Sequence, residues 1–267
     1  MRKLPRVVAH RGASAVEPEH TLAAYRRAIE FGADGLECDV RLTADGHLVC
    51  VHDRTIERTS NGQGVLSTMS LAQLESYDWG SWKRPWADLD ENAGPTGADG
   101  RRVLTLETLL ATVRDAGRPV ELAIETKHPT RYAGRVERRL VEALDRFGWA
   151  RPRPGTESPV RVMSFSWLSL RRMRTAAPGL RTVLLMDRIP LRFRDGSLPA
   201  GVSYAGPSLE IVSTQPDYVD KAQKHGHQVH VWTVNTEKDV RHCRDLGVDA
   251  VISDRPDLAL QVLAEDV

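Results

Sequence analysis

Short apolar runs alternate with amphipathic stretches along almost the whole chain. The runs at 7–10, 35–40, 47–52, 120–125, 160–165, 181–186, 202–205, 228–234 and 249–253 read as strands. Several are apolar at most positions rather than at every second one, as strands buried on both faces should be. Between them lie stretches with helical spacing. Residues 21–31 carry Leu22, Tyr25, Ala28 and Ile29 on one face, with Gly32 placed to end the helix. Thr105 precedes 106–114 as an N-cap. The stretch 131–147 sets Val136, Leu140, Val141 and Leu144 on one face before Gly148. Further helices are predicted at 166–177, 216–225, 236–246 and 256–264, with Gly226 and Gly247 where C-terminal caps belong. Repeated strand–helix units imply a parallel sheet. With this many units in one chain, a (β/α)8 barrel is favoured over an open sheet.

Two features resist that reading. There are nine strand candidates for eight barrel positions. The second and third are joined only by residues 41–46, where Asp45-Gly46 is a turn signal. Taken literally this is a hairpin, although an extended return would restore parallel order; both stay open. Residues 54–104 also stand apart. They hold Asn61-Gly62-Gln63-Gly64, Gly94-Pro95-Thr96-Gly97 and three tryptophans, Trp79, Trp82 and Trp86. They read as an insertion over one barrel face within a single domain spanning 1–267, or as a surface loop pinned by aromatic packing.

Composition narrows the function classes. The 267 residues carry 37 Lys and Arg against 36 Asp and Glu, a net charge of +1. That balance removes the long-range pull expected of a nucleic-acid binder. With 41% hydrophobic and 27% charged residues the chain is ordinary globular material. It holds no apolar run long enough to span a membrane. The start, MRKLPRVVAHRGAS, lacks the apolar core of a signal peptide. Three cysteines, Cys38, Cys50 and Cys243, give no disulfide framework, so a cytoplasmic, reducing setting is expected.

Four strand ends bear polar residues of a narrow kind. The first ends in His10-Arg11-Gly12 and the third in His52-Asp53. The second carries Glu37 and Asp39, and the fourth Glu125 and Lys127, each pair spaced i, i+2 and so on one strand face. Singly, a histidine there is commonly structural and a carboxylate commonly a cap or ion-pair partner. Together at a barrel mouth they make a site. Carboxylates crowded on one face raise each other's pKa unless a cation neutralises them. Oxygen ligands without thiolate suit Mg2+, Ca2+ or Mn2+. Arg11 and Lys127 suit an anionic substrate, or else pair with the same carboxylates. Two histidines suit acid–base work near neutral pH. These are the parts for attack on a phosphodiester.

The stretch HRGASAVEPEHTLAAYRRAIEFGADGLECDVRLTADGHLVCVHDRTIERTSNGQG, followed in order by IETK, MSFS, VHVWTVN and GVDAVISDRPD, resembles the glycerophosphodiester phosphodiesterase family. The resemblance runs nearly end to end. It implies a distorted (β/α)8 TIM barrel whose 54–104 insertion caps the mouth. It implies His10 and His52 as the acid–base pair, and Glu37, Asp39 and Glu125 as ligands of one divalent cation, Mg2+ or Ca2+, with Mn2+ a third candidate. It implies Arg11 and Lys127 as phosphate contacts and Trp232 on the glycerol side. The expected reaction is metal-dependent hydrolysis of glycerophosphodiesters, such as glycerophosphocholine or glycerophosphoethanolamine, to glycerol 3-phosphate and an alcohol. The expected partner is that small phosphodiester, for a monomer or homodimer. One position departs from the family pattern: Pro18-Glu19-His20-Thr21 has His20 where Asn is usual. Two other readings compete. A phospholipase acting on lipid phosphodiesters would want an apolar rim, which Trp79, Trp82 and Trp86 could supply. A non-catalytic binding module would have no use for both histidines.

Overall fold

The structure is a computed structural model that describes residues 4–83, 98–153 and 155–265. Among these described residues, nine strands form one sheet. They are β1 (Arg6–His10), β2 (Gly35–Leu42), β3 (Leu48–Cys50), β4 (Glu121–Thr126), β5 (Val160–Ser164), β6 (Arg181–Met186), β7 (Tyr204–Pro207), β8 (Gln228–Trp232) and β9 (Ala250–Ser253). The order is β1-β9-β8-β7-β6-β5-β4-β2-β3, and an added β1–β2 pairing closes the ring. Eight strands run parallel and make a TIM barrel.

The ninth strand is the second arm of a hairpin. β3 pairs antiparallel with β2, Val40 opposite Cys50 and Leu42 opposite Leu48. Gly46 takes φ +93° in the turn, and the Thr43 hydroxyl oxygen accepts from His47 N at 2.9 Å. The extended parallel return is therefore not what forms.

Helices follow the strands: α1 (Leu22–Glu30), α2 (Leu71–Glu75), α3 (Leu106–Arg114), α4 (Arg135–Arg146), α5 (Trp167–Ala176), α6 (Leu209–Thr214), α7 (Asp217–Lys224), α8 (Glu237–Leu246) and α9 (Pro256–Ala264). Thr21 caps α1, Thr105 caps α3 and Gly247 ends α8 in the left-handed region. Two helices were not anticipated, α2 and α6, of five and six residues. Neither is long enough to show a period. Both begin at a serine cap, Ser70 with a full capping box to Gln73, and Ser208. α4 starts at Arg135, four residues later than the predicted 131, because Ala133 at φ +45° and Gly134 precede it.

Alternation along β2 sorts the core. Leu36, Cys38 and Val40 pack outward against Tyr25, Ala28 and Leu110 under the helices. Glu37 and Asp39 are left on the opposite, inner face. Val8, Ala123, Met163, Val183, Leu185, Tyr204, Ala250 and Ile252 form an inner cluster, with Trp232 against it. In the 54–104 segment, Trp79 is 5% exposed and packs with Val51, Ile56, Leu66 and Leu74. Its indole N–H donates to Leu74 O, and that of half-buried Trp82 donates to Trp79 O. Trp79 is thus a packing residue and not part of a rim; Trp86 and 94–97 lie outside the described residues. The three cysteines are buried and unpaired. Among the described residues no helix is long and apolar enough to cross a membrane.

Candidate active site

Strand register brings the charged residues together at the C-terminal end of the barrel. His10 sits beside Glu37 across β1 and β2, and Asp39 beside Glu125 across β2 and β4. Glu37, Asp39 and Glu125 are all buried, and each offers a carboxylate oxygen within 4.8 Å of the others. Lys127 Nζ reaches Asp39 Oδ1 at 2.9 Å and Glu125 Oε2 at 2.8 Å.

Immediately after β1 the chain turns through two left-handed residues, Arg11 at φ +57° and Gly12 at φ +83°. A Cβ on Gly12 would lie 2.6 Å from the backbone of Ala24, so glycine is required. This turn aims the Arg11 N–H at both the backbone oxygen and Oε2 of Glu37, each at 3.1 Å. Arg11 Nη1 donates to Glu19 at 3.0 Å, and Nε lies 3.2 Å from Asp39 Oδ2 without hydrogen-bond alignment.

Titration in this cluster is displaced in opposite directions. Burial, then the Asp39 charge, push the Glu37 carboxyl well above the ordinary carboxylate range. Burial and Asp39 likewise raise Glu125 to about 8, against the opposing pull of Lys127. Burial would raise Asp39 too, but the His20 hydrogen bond and the Lys127 and Arg11 charges hold it well below the usual range. One carboxylate keeps its charge at the expense of its neighbours. Three buried oxygen donors with unmet negative charge fit a hard divalent cation, and Cys38, facing the opposite way, offers no competing thiolate.

The two histidines are each oriented by a carboxylate. His10 Nδ1 lies 2.6 Å from Asp254 Oδ1, which leaves Nε2 to face the site, 4.0 Å from Glu37. Asp254 is itself held by Ser14 Oγ at 2.9 Å and by the Asn235 amide at 2.6 Å. Although burial opposes ionisation, the His10 contact keeps the Asp254 carboxyl at about 2. His52 Nδ1 lies 2.7 Å from Asp53 Oδ1, and Arg41 grips the His52 carbonyl at 2.6 and 2.9 Å. Burial lowers the His52 pKa, against the opposing pull of Asp39 and Asp53.

His20, the departure from the family pattern, is 5% exposed. Its Nε2 is 2.9 Å from Asp39 Oδ2 and its Nδ1 2.8 Å from the Tyr25 hydroxyl. It therefore steadies Asp39 rather than Glu19. Glu19 turns instead to Arg11 and to Arg58, whose Nη1 and Nη2 each reach it at 2.7 Å. Although burial opposes it, these arginines bring its pKa down to about 2. Arg58 also binds Asp53 at 2.5 Å, so one side chain of the 54–104 segment braces both histidine-bearing loops.

A cleft, open at its mouth, joins these groups. His10, Arg11, Glu37, His52, Glu125 and Lys127 form one wall; Met163, Phe165, Leu185, Trp232 and Ile252 form the other. Trp232 donates its indole N–H to Gly206 O at 2.7 Å and meets the Phe165 ring edge-on at 5.4 Å. Of the eight side chains singled out from the sequence, only Asp39 does not line the cleft directly; it lies 1% exposed beneath Lys127. Asp254, Asn235, Ser14, Arg58 and Phe165 were not singled out. Asp254 had a signal, a carboxylate one residue past a predicted strand, but its partner is 244 residues away.

The profile of the Glycerophosphoryl diester phosphodiesterase family matches residues 10–258. The chain is 47% identical over 245 residues to "Probable glycerophosphodiester phosphodiesterase 1" of Mycobacterium tuberculosis, covering 91% of this chain and 87% of that one. It is 34% identical over 255 residues to the glycerophosphodiester phosphodiesterase of Bacillus subtilis, covering 94% and 84%. Among solved structures it is similar to an Oleispira antarctica phosphodiesterase in complex with the product sn-glycerol-3-phosphate. The TM-score is 0.80, the identity 25%, and the coverage 98% and 97%.

Proposed function

The chain belongs to the glycerophosphoryl diester phosphodiesterase family and is an enzyme of that activity; from this premise we propose that it hydrolyses glycerophosphodiesters to glycerol 3-phosphate and an alcohol by paired histidine catalysis at a divalent-cation site. The observation that carries this reading is the single cleft lined by His10, His52, Arg11, Lys127, Glu37 and Glu125. Glycerophosphocholine and glycerophosphoethanolamine are the substrates we assign. The Oleispira antarctica relative, with sn-glycerol-3-phosphate as its product, supports the glycerol half of that assignment.

Glu37, Asp39 and Glu125 would hold the cation, Mg2+, Ca2+ or Mn2+. Bound there, it would supply Lewis-acid polarisation of a phosphoryl oxygen. Arg11 and Lys127 attract and orient the phosphate. The apolar wall, with Trp232 and Phe165, packs the carbon side of the glycerol. One imidazole takes the proton of the oxygen that attacks phosphorus, either water directly or the glycerol 2-hydroxyl with water then opening the cyclic phosphate, and the other protonates the alcohol oxygen as its bond to phosphorus breaks. Asp254 on His10 and Asp53 on His52 fix which ring nitrogen faces the substrate and stabilise each imidazolium as it forms. His10 and Arg11 also border a wider polar hollow with Glu19, Arg58, Trp82 and Lys83, where we place the alcohol half. We treat 1–267 as one domain with 54–104 inserted over the mouth. Arg58 on Glu19 and Lys83 on the Ser14 carbonyl support that. Three buried, unpaired thiols support a cytoplasmic setting.

Release of glycerol 3-phosphate from glycerophosphocholine tests the reading, measured in EDTA and with each cation restored. His10→Ala and His52→Ala are expected to lose about 10²–10⁴ of turnover. Near-normal turnover in both variants, or full activity in EDTA, would overturn it.

A further inference from the structure

The large apolar side chains most exposed among the described residues are Leu4, Val16, Phe165, Trp167, Leu168 and Leu191. Four of these six lie at the mouth of the barrel, on the turn after β5, the first turn of α5 and the connection after β6. Phe165, Trp167 and Leu168 follow β5, and Leu191 follows β6. β5 and β6 are paired neighbours, Ser164 opposite Leu184, so the two segments leave the barrel side by side. Leu191 is 77% exposed and Trp167 42%, so they project rather than line a groove. The strip is continuous with the apolar wall of the cleft through Phe165, whose ring meets Trp232.

The same two segments are basic in a chain that is otherwise balanced. Residues 165–174, FSWLSLRRMR, contain three arginines and no acid; residues 187–195, DRIPLRFRD, contain three arginines against two aspartates. Arg172 meets Glu137 and Arg174 the carbonyl of Ala200. Among the described residues Arg171, Arg188, Arg192 and Arg194 are exposed and have no carboxylate partner. The Arg171 guanidinium lies over the Trp167 ring at 5.0 Å, and that of Arg192 over Phe193 at 4.6 Å.

We propose that this rim docks the mouth of the barrel on an anionic lipid surface. Projecting aromatic and aliphatic side chains enter the headgroup region, while the arginines around them meet lipid phosphates. A second copy of the chain is a poor occupant. A two-fold interface sets a patch against itself, and here it would face arginine with arginine. The inference concerns the surface only and does not rest on the chemistry proposed above.

Vesicle flotation tests it, with phosphatidylcholine alone and with phosphatidylcholine mixed with phosphatidylglycerol, at low and high salt. Wild type is expected on the mixed vesicles at low salt and largely free on the others. Leu191→Asp with Trp167→Asp, or Arg188→Glu with Arg192→Glu, should cut the bound fraction by at least about tenfold. Turnover of soluble glycerophosphocholine and the melting temperature should stay at wild-type values in Leu191→Asp. Three results would overturn the proposal: no binding to mixed vesicles, binding undiminished in both double variants, or a wild-type dimer that Leu191→Asp dissociates in sedimentation equilibrium.

Discussion

The two ends of the barrel both gather charge, and they use it differently. β4 shows the contrast on one strand face, with Glu121 at its start and Glu125 near its end. Glu121 receives Arg6 and both Nη atoms of Arg161, one of them at 2.7 Å. Arg161 and Arg181 in turn pack on Tyr204, and His230 stacks on the same ring at 5.0 Å. Burial, with Arg161 and Arg6 nearby, keeps His230 uncharged. Charge at that end closes on itself. At the mouth, Glu125 joins Glu37 and Asp39 within 4.8 Å, and Lys127 and Arg11 are too few to satisfy all three. Carboxylates that would otherwise hold protons are the mark of a site meant for a further cation; a carboxylate caged by arginines is a structural joint.

The sharpest way to break that comparison is to neutralise the two glutamates in turn. Glu125→Gln should lower glycerol 3-phosphate release by about 10³-fold, on the scale of losing one electrostatic element of a catalytic centre. Wild type is expected to melt higher once a divalent cation is added, and Glu125→Gln should abolish that rise. Glu121→Gln should keep both the activity and the cation-induced rise, and should lose about 1 kcal/mol of stability by leaving half-buried guanidinium groups without their carboxylate. Equal losses of activity in the two variants would erase the distinction between the ends.

A smaller effect is expected from Asp254→Asn. The amide keeps the size but cannot stabilise imidazolium at His10. Turnover should fall by about 10–100-fold with little change in KM, because the ring loses the carboxylate that orients it. A structural role alone would lower stability and leave kcat near the wild-type value.

Much of this was legible in the sequence because it repeats locally. Strand–helix alternation gave the barrel, and the i, i+2 spacing of Glu37 with Asp39 and of Glu125 with Lys127 put each pair on one face. What stayed hidden was set by long-range closure or by single turns. Asp254 reaches His10 only because β9 pairs with β1 to close the ring. The hairpin at 41–46 was half legible: Asp45-Gly46 signalled a turn, and the Thr43 and Gly46 geometry decided it against the parallel return. α2 and α6 are single turns fixed by serine caps. His20 was legible as a departure, but its partner Asp39 was not, because the left-handed backbone at φ +61° sets where the ring points.

The finest distinction concerns Glu19, a mouth carboxylate that behaves like one at the other end. Arg11 and Arg58 cage it as Arg6 and Arg161 cage Glu121, and its pKa falls to about 2 from an ordinary 4.5. A lowered folded-state pKa contributes stability that is fully present above the unfolded value and is lost as pH falls through the folded one. The stability difference between wild type and Glu19→Gln should therefore be on the order of 2–3 kcal/mol at pH 7. It should shrink as the pH drops below about 4.5 and vanish near 2. Denaturant melts of both proteins across that window would show it. If Glu19 belonged with the cation-seeking carboxylates instead, the difference would persist in acid and respond to added divalent cation.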